Sequence, residues 1–162
     1  MAFDPNDDIF VAFQFEVAIT VKGGDTHGMS NPLCSAAFAE CSGLEATMDA
    51  KMLREGGNNY EQIFLPGAVS YGQLALKRGM TPNFDLWRWF NAVTRGGALG
   101  LRADIEVKVM HADGSPGVVF HLTDCLPVKL KAPALAAKDG ALALEELTVA
   151  YGSFRIAEPA LS

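Results

Sequence analysis

The stretch from Arg54 to Phe90, REGGNNYEQIFLPGAVSYGQLALKRGMTPNFDLWRWF, limits what this chain can fold into more than any other. Gly56-Gly57-Asn58-Asn59 is a run of residues that tolerate positive φ, so the chain can reverse or bulge there at little cost. In Leu65-Pro66-Gly67, a proline with preset φ precedes a glycine that a type II turn wants at φ > 0. From Tyr71 to Arg78 the alternation puts Leu74 and Leu76 on one strand face and Gln73, Ala75 and Lys77 on the other. After Gly79, Thr81-Pro82 supplies an N-cap and a proline at the first helical position. A loop, a turn, a strand, a second turn and a helix start follow in that order.

The flanking sequence is mostly strand. Residues 1–8 form a short, polar, flexible arm. From Ile9 to Val21 every odd position is apolar, while Gln14, Glu16, Thr20 and Lys22 occupy the even side. That is a half-buried strand of roughly 43 Å at ~3.3 Å per residue. A strand so long must bend across two sheets or reach beyond its own domain. A polar loop containing His27 follows, then one short strand over Ser35–Ser42 that ends at Gly43. In Leu44–Arg54 the odd positions Glu45, Thr47, Asp49 and Lys51 are polar, whereas Leu44, Ala46, Met48, Ala50 and Met52 are apolar. This fits an ordinary surface hairpin, or a hairpin that joins a sheet built across subunits with its polar row facing water.

The spacing predicts a helix over about Pro82–Arg95. Leu86, Trp89, Phe90 and Val93 form one apolar stripe, widened by Phe84 and Trp87. Asp85 and Arg95 suit the helix dipole, and Gly96-Gly97 can close the end. Such an aromatic helix reads as a plug on a β-core rather than a ligand box. Ile105, Val107 and Val109 alternate with polar neighbours, Asp113–Gly117 is a turn, and Val118–Leu126 returns as the hairpin partner. Pro127 breaks or bulges that strand before Val128–Lys131. Pro133–Gly140 is a connection, and Leu142–Ile156 is the last strand region.

The chain of 162 residues is one domain, 1–162, long enough to bury a core without disulfides or metal. With 49% hydrophobic and 20% charged residues it is an ordered, soluble protein. A net charge of -6 argues against a broad nucleic-acid-binding surface. Cys34, Cys41 and Cys125 read as small buried hydrophobes of a reducing compartment. The start MAFDPNDD lacks the basic and apolar regions of a secretion signal, and no apolar run approaches the ~20 residues of a membrane span. Synthesis and folding in a bacterial cytoplasm are expected.

Parts for catalysis are missing. His111, His121 and Cys125 share a hairpin, yet Cys125 lies roughly 13 Å along the strand from His121. Ligands of one zinc must sit within about 2.3 Å of it, so these three do not make a site. No nucleophile sits in a glycine-flanked elbow, and the paired glycines fit no nucleotide-binding pattern. Glu145 and Glu146 point to opposite strand faces and are not a working carboxylate pair. No cofactor, metal or catalytic residue is expected.

Arg54-Glu55-Gly56-Gly57-Asn58-Asn59, Leu65-Pro66-Gly67, LALKRGMT with Lys77, Arg78 and Gly79, and DLWRWF with Trp87, Trp89 and Phe90 occur in succession. With Phe38–Glu45 upstream and Glu145–Val149 downstream, this ordered set resembles the tail tube protein family of contractile phages and phage-derived injection systems. Strands and turns on their own predict a mainly β fold of two packed antiparallel sheets, a sandwich or flattened barrel, with one main helix. The resemblance implies six-membered rings stacking into a hollow tube, with a long hairpin from each subunit closing an inter-subunit barrel around the lumen. It implies a sheath outside, baseplate, spike and terminator proteins at the ends, and DNA or protein cargo within a tail or tail-like particle. On this reading Glu45, Thr47, Asp49 and Lys51 face the lumen, and Gly56, Gly57, Asn58 and Asn59, with residues 1–8, contact the next ring. A tube-initiating paralogue at the baseplate has the same signature. From another class, a β-barrel module binding a small apolar ligand between helix and sheet remains open on the sequence.

Overall fold

Alternation builds the body of the molecule. The computed structural model describes residues 14–23, 29, 32–36, 38–57, 60–95, 101–135, 140 and 143–157. In chain order the strands are β1 (Phe15–Val21), β2 (Cys34–Ala36), β3 (Glu40–Ser42), β4 (Ala46–Met48), β5 (Lys51–Leu53), β6 (Ile63–Leu65), β7 (Val69–Tyr71) and β8 (Gln73–Gly79). The helix α1 (Asp85–Thr94) precedes β9 (Ala103–Met110), β10 (Pro116–Lys131), β11 (Leu144–Ala150) and β12 (Ser153–Ala157).

Eight strands make one antiparallel array in the order β2-β1-β9-β10-β11-β8-β3, with β12 also paired to β10. It folds into two layers because β10 belongs to both. Its first half pairs with β9 and β12, and its last residues pair with β11. The change of layer falls at a bulge between Leu122 and Cys125, where Asp124 takes φ 53. A second bulge sits at Pro127 to Lys129, because proline has no N–H for the ladder. Among the described residues the strand that spans two layers is therefore β10. Ile9 to Phe13 lie outside the described residues, as do Gly96 and Gly97. No ladder joins β2 to β3 among the described residues, so of the two expected forms, sandwich or flattened barrel, the array is an open sandwich.

One core lies between the layers. Val17, Ile19 and Val21 of β1 and Ala103, Ile105 and Val107 of β9 meet Leu74 and Leu76 of β8 and Leu147 and Val149 of β11. Leu86 and Trp89 of α1 complete it, and the Trp89 indole N–H donates to the Leu101 carbonyl at 3.3 Å. The helix begins three residues later than its proline suggests. Asn83 Oδ1 accepts the Asp85 N–H at 3.0 Å, and Thr81 Oγ1 accepts the Asn83 N–H at 3.2 Å. These Asx- and Ser/Thr-type turns hold residues 81–84 outside the helix. Phe84 is consequently exposed instead of widening the stripe. Ser35–Ser42 is also not one strand: β2 flanks β1 and β3 flanks β8, at opposite ends of the array. Likewise Leu142–Ile156 divides at Tyr151-Gly152 into β11 and β12.

Candidate assembly surface

Residues 46–71 leave the sandwich as a two-stranded arm. β4 pairs with β7 and β5 with β6, and the turn at Gly56-Gly57 closes the far end, with Gly57 at φ +96. Asn58 and Asn59 lie outside the described residues. Leu65-Pro66-Gly67 does not reverse the chain, and Gly67 does not take a positive φ. Instead Pro66, Gly67 and Ala68 lie opposite Asp49 and Ala50, making a bulge inside a continuing hairpin. The Asp49 N–H donates to the Ala68 carbonyl at 2.8 Å. A Cβ on Gly67 would stand 1.8 Å from the Asp49 carbonyl oxygen, so glycine permits the close approach.

The bulge decides which side chains share a face. Directly opposed residues point the same way. Ala46 opposes Tyr71, Met48 opposes Val69 and Met52 opposes Phe64, giving an apolar face. Thr47 opposes Ser70, and Lys51 opposes Leu65, on the other face. The extra residue at Pro66–Ala68 shifts the returning strand by one, which keeps Phe64, Val69 and Tyr71 on the same side. Met48, Phe64 and Val69 are 51%, 58% and 54% exposed, and no residue from Ala46 to Ser70 with a described side chain is buried. An isolated two-stranded hairpin is marginal in water, which makes this exposed apolar strip a candidate contact surface.

At the arm's root, buried Tyr151 donates its hydroxyl hydrogen to the Gly43 carbonyl at 2.7 Å and accepts the Glu45 N–H at 3.1 Å. Its ring lies 5.7 Å from that of Tyr71 and 6.2 Å from that of Phe154, which stacks on Phe120 at 5.9 Å. On the opposite side of the body, β8 and β11 hold α1 through a buried ion pair. Arg78 Nε donates to Glu145 Oε1, whose second oxygen accepts the Trp87 indole N–H at 3.1 Å. Arg78 Nη2 also donates to the Asn83 carbonyl at 3.1 Å, just before the helix.

The predicted residues divide accordingly. Thr47, Asp49 and Lys51 lie along the arm, and exposed Glu45 sits at its root over Gly72. Arg54, Glu55, Gly56 and Gly57 are exposed at the tip, where a hollow of about 640 Å³ is lined by Met52 to Gly57 and Tyr60 to Gln62. Lys77 pairs with Glu40 across β8 and β3 at 3.2 Å. Gly79 ends β8, Trp89 is fully buried, and Trp87 and Phe90 are half-buried. Leu86 and Trp89 are the helix residues buried in the core. His121 Nδ1 faces Glu106 at 3.4 Å, while the His111 N–H closes the hairpin turn onto Ser115. Burial pushes the Cys41 thiol up to about 11 and the Cys125 thiol up to about 12, so both are neutral at pH 7. Tyr151, Arg78 and Glu145 carry structural roles that sequence spacing did not single out. For Tyr151 the signal was the Tyr151-Gly152 break in an otherwise regular alternation, while Arg78 and Glu145 lay within the motif stretches.

This architecture is shared. A chain in the cryo-EM structure of the anti-feeding prophage baseplate is 24% identical, with a TM-score of 0.79 over 96% of this chain and 99% of that one. A chain of the PVC sheath-tube complex, an extracellular contractile injection system in its extended state, is 18% identical, with a TM-score of 0.75 over 98% and 100%. A chain in the tube-terminating cap of the anti-feeding prophage is 20% identical, with a TM-score of 0.72 over 96% and 98%. These likenesses show the fold. No curated protein sequence matches the chain. The model of the T4-like virus tail tube protein gp19 family matches residues 11–155, nearly the whole chain, and the protein belongs to that family.

Proposed function

We propose that this chain is the inner tube subunit of a contractile tail or injection system. Copies close into six-membered rings, and the rings stack into a hollow conduit for DNA or effector proteins. The observation that carries the reading is the arm, residues 46–71, whose apolar face is left exposed among the described residues of one subunit. Lateral pairing with the arms of neighbouring copies removes the free strand edges, and the bodies of those copies cover the apolar face. The face with Thr47, Asp49 and Lys51, together with Glu45 at the root, then looks into the lumen. The tip with Gly56, Gly57, Asn58 and Asn59, and the N-terminal residues 1–8, reach the next ring.

Ring-on-ring contact is head-to-tail and propagates into a filament. The solved relatives come from sheath-tube, baseplate and cap structures, which supports a sheath outside the tube and baseplate and terminator proteins at its ends. The work is structural and uses no cofactor. Negative-stain electron microscopy of the purified protein over a range of concentrations tests it, with rings and hollow tubes as the expected result. Single rings that never stack would put the chain at the end of a tube as an initiator. Small particles at every concentration, with ligand-dependent melting, would replace the reading with a binding module.

A further inference from the structure

We infer that Tyr151 is a positioning residue: its hydroxyl pins the root of the arm and so sets the arm's direction for ring closure, a step that rests on the tube reading above. Tyr151 is buried where β11 passes into β12, so its place is set by the body of the molecule. Its oxygen meets two polar groups of the outgoing chain where it leaves the sheet: the Gly43 carbonyl at 2.7 Å and the Glu45 N–H at 3.1 Å. The Glu45 carbonyl lies 3.1 Å from the same oxygen and accepts the Gly72 N–H at 3.2 Å, tying the outgoing strand to the returning one. The ring beside Tyr71 fixes the returning strand as well.

The glycines around this hydroxyl show how closely the root is packed. Gly43 has φ +91, and a Cβ there would stand 1.8 Å from the Gln73 carbonyl oxygen. A Cβ on Gly72 would stand 2.6 Å from the Glu45 side chain. Beyond this point no described side chain of the arm from Ala46 to Ser70 is buried. From Ala46 to the turn it reaches roughly 30 Å at ~3.3 Å per residue, so a tilt of about 10° moves the tip by about 5 Å. That displacement equals one inter-strand spacing of about 4.8 Å. An arm that swings this far meets its neighbours out of register, so rigidity at the root is a condition of closure.

The test is Tyr151→Phe in the full chain, which keeps the ring and removes the hydroxyl. Hydrogen exchange of the unassembled subunit should run about five- to thirty-fold faster in the peptides covering 43–48 and 69–72, the size expected for losing the two hydrogen bonds that the hydroxyl makes. Amides of β8 and β11 should keep their wild-type protection. The concentration at which rings appear should rise by about five- to ten-fold. Unchanged exchange at the root, or an equal rise throughout β8 and β11, overturns the pin. Faster exchange at the root with an unchanged ring threshold overturns the positioning role. If the wild-type protein forms no rings at all, the tube reading fails separately, and the exchange comparison still decides whether Tyr151 holds the arm.

Discussion

Glu145 has a neighbour in sequence, Glu146, that does nothing comparable. Alternation turns Glu145 inward onto Arg78 and Trp87, while Glu146 opposes Lys77 across the ladder. A buried carboxylate held by a guanidinium and an indole N–H is costly to place and costlier to break. Glu145→Ala should lose about 3–5 kcal/mol, because Arg78 would be left buried without its carboxylate. Replacing both, Arg78→Met with Glu145→Leu, should recover most of that loss. Chemical denaturation of the three variants checks both statements; a single variant as stable as wild type would mean that Arg78 finds water or another acceptor. The opposite-face argument for the two glutamates was legible in the sequence. The partner was not, because Arg78 and Glu145 are distant in the chain and only the β8–β11 register brings them together.

The arm is an element that the sandwich does not need. None of its described residues from Ala46 to Ser70 belongs to the buried core. Ala46 and Tyr71 are direct partners, about 5 Å apart, so a two-residue turn spans the gap. Replacing residues 47–70 by such a turn should leave a folded body that melts cooperatively and forms no rings at any concentration. Calorimetry and electron microscopy check this; a body that fails to melt cooperatively would show that the arm stabilises the subunit it leaves. The polar and apolar rows of Leu44–Arg54 were readable from alternation alone. The bulge was not. Pro66-Gly67 has the composition of a reversal, and local turn chemistry does not distinguish a chain that turns from one that kinks and continues.

At the scale of the whole molecule, each copy carries a net charge of -6, so bringing copies together works against electrostatic repulsion. An interface driven by the apolar arm should therefore form more readily as salt screens that repulsion. Raising ionic strength from about 0.01 M to about 0.1 M shortens the screening length from ~30 Å to ~10 Å, and the ring threshold should fall. Light scattering across a salt series follows it; a threshold that climbs with salt would mean that ion pairs between copies dominate the contact.

By itself the sequence determined the class of the fold, the core-facing residues of β1, β8 and β9, the helix and the amphipathic character of the arm. These follow from periods of two and 3.6 residues, which are local properties of the backbone. The ordered motifs from Arg54 to Phe90 also carried the family, since their order along the chain survives without coordinates. Tertiary structure decided that β10 serves both layers, that Arg78 meets Glu145, that Pro66-Gly67 is a bulge and that Tyr151 holds the root of the arm. Each of these is a contact between segments distant in sequence, or a choice between two backbone paths open to the same residues. Register between strands settles such choices, and register is a property of the folded chain as a whole.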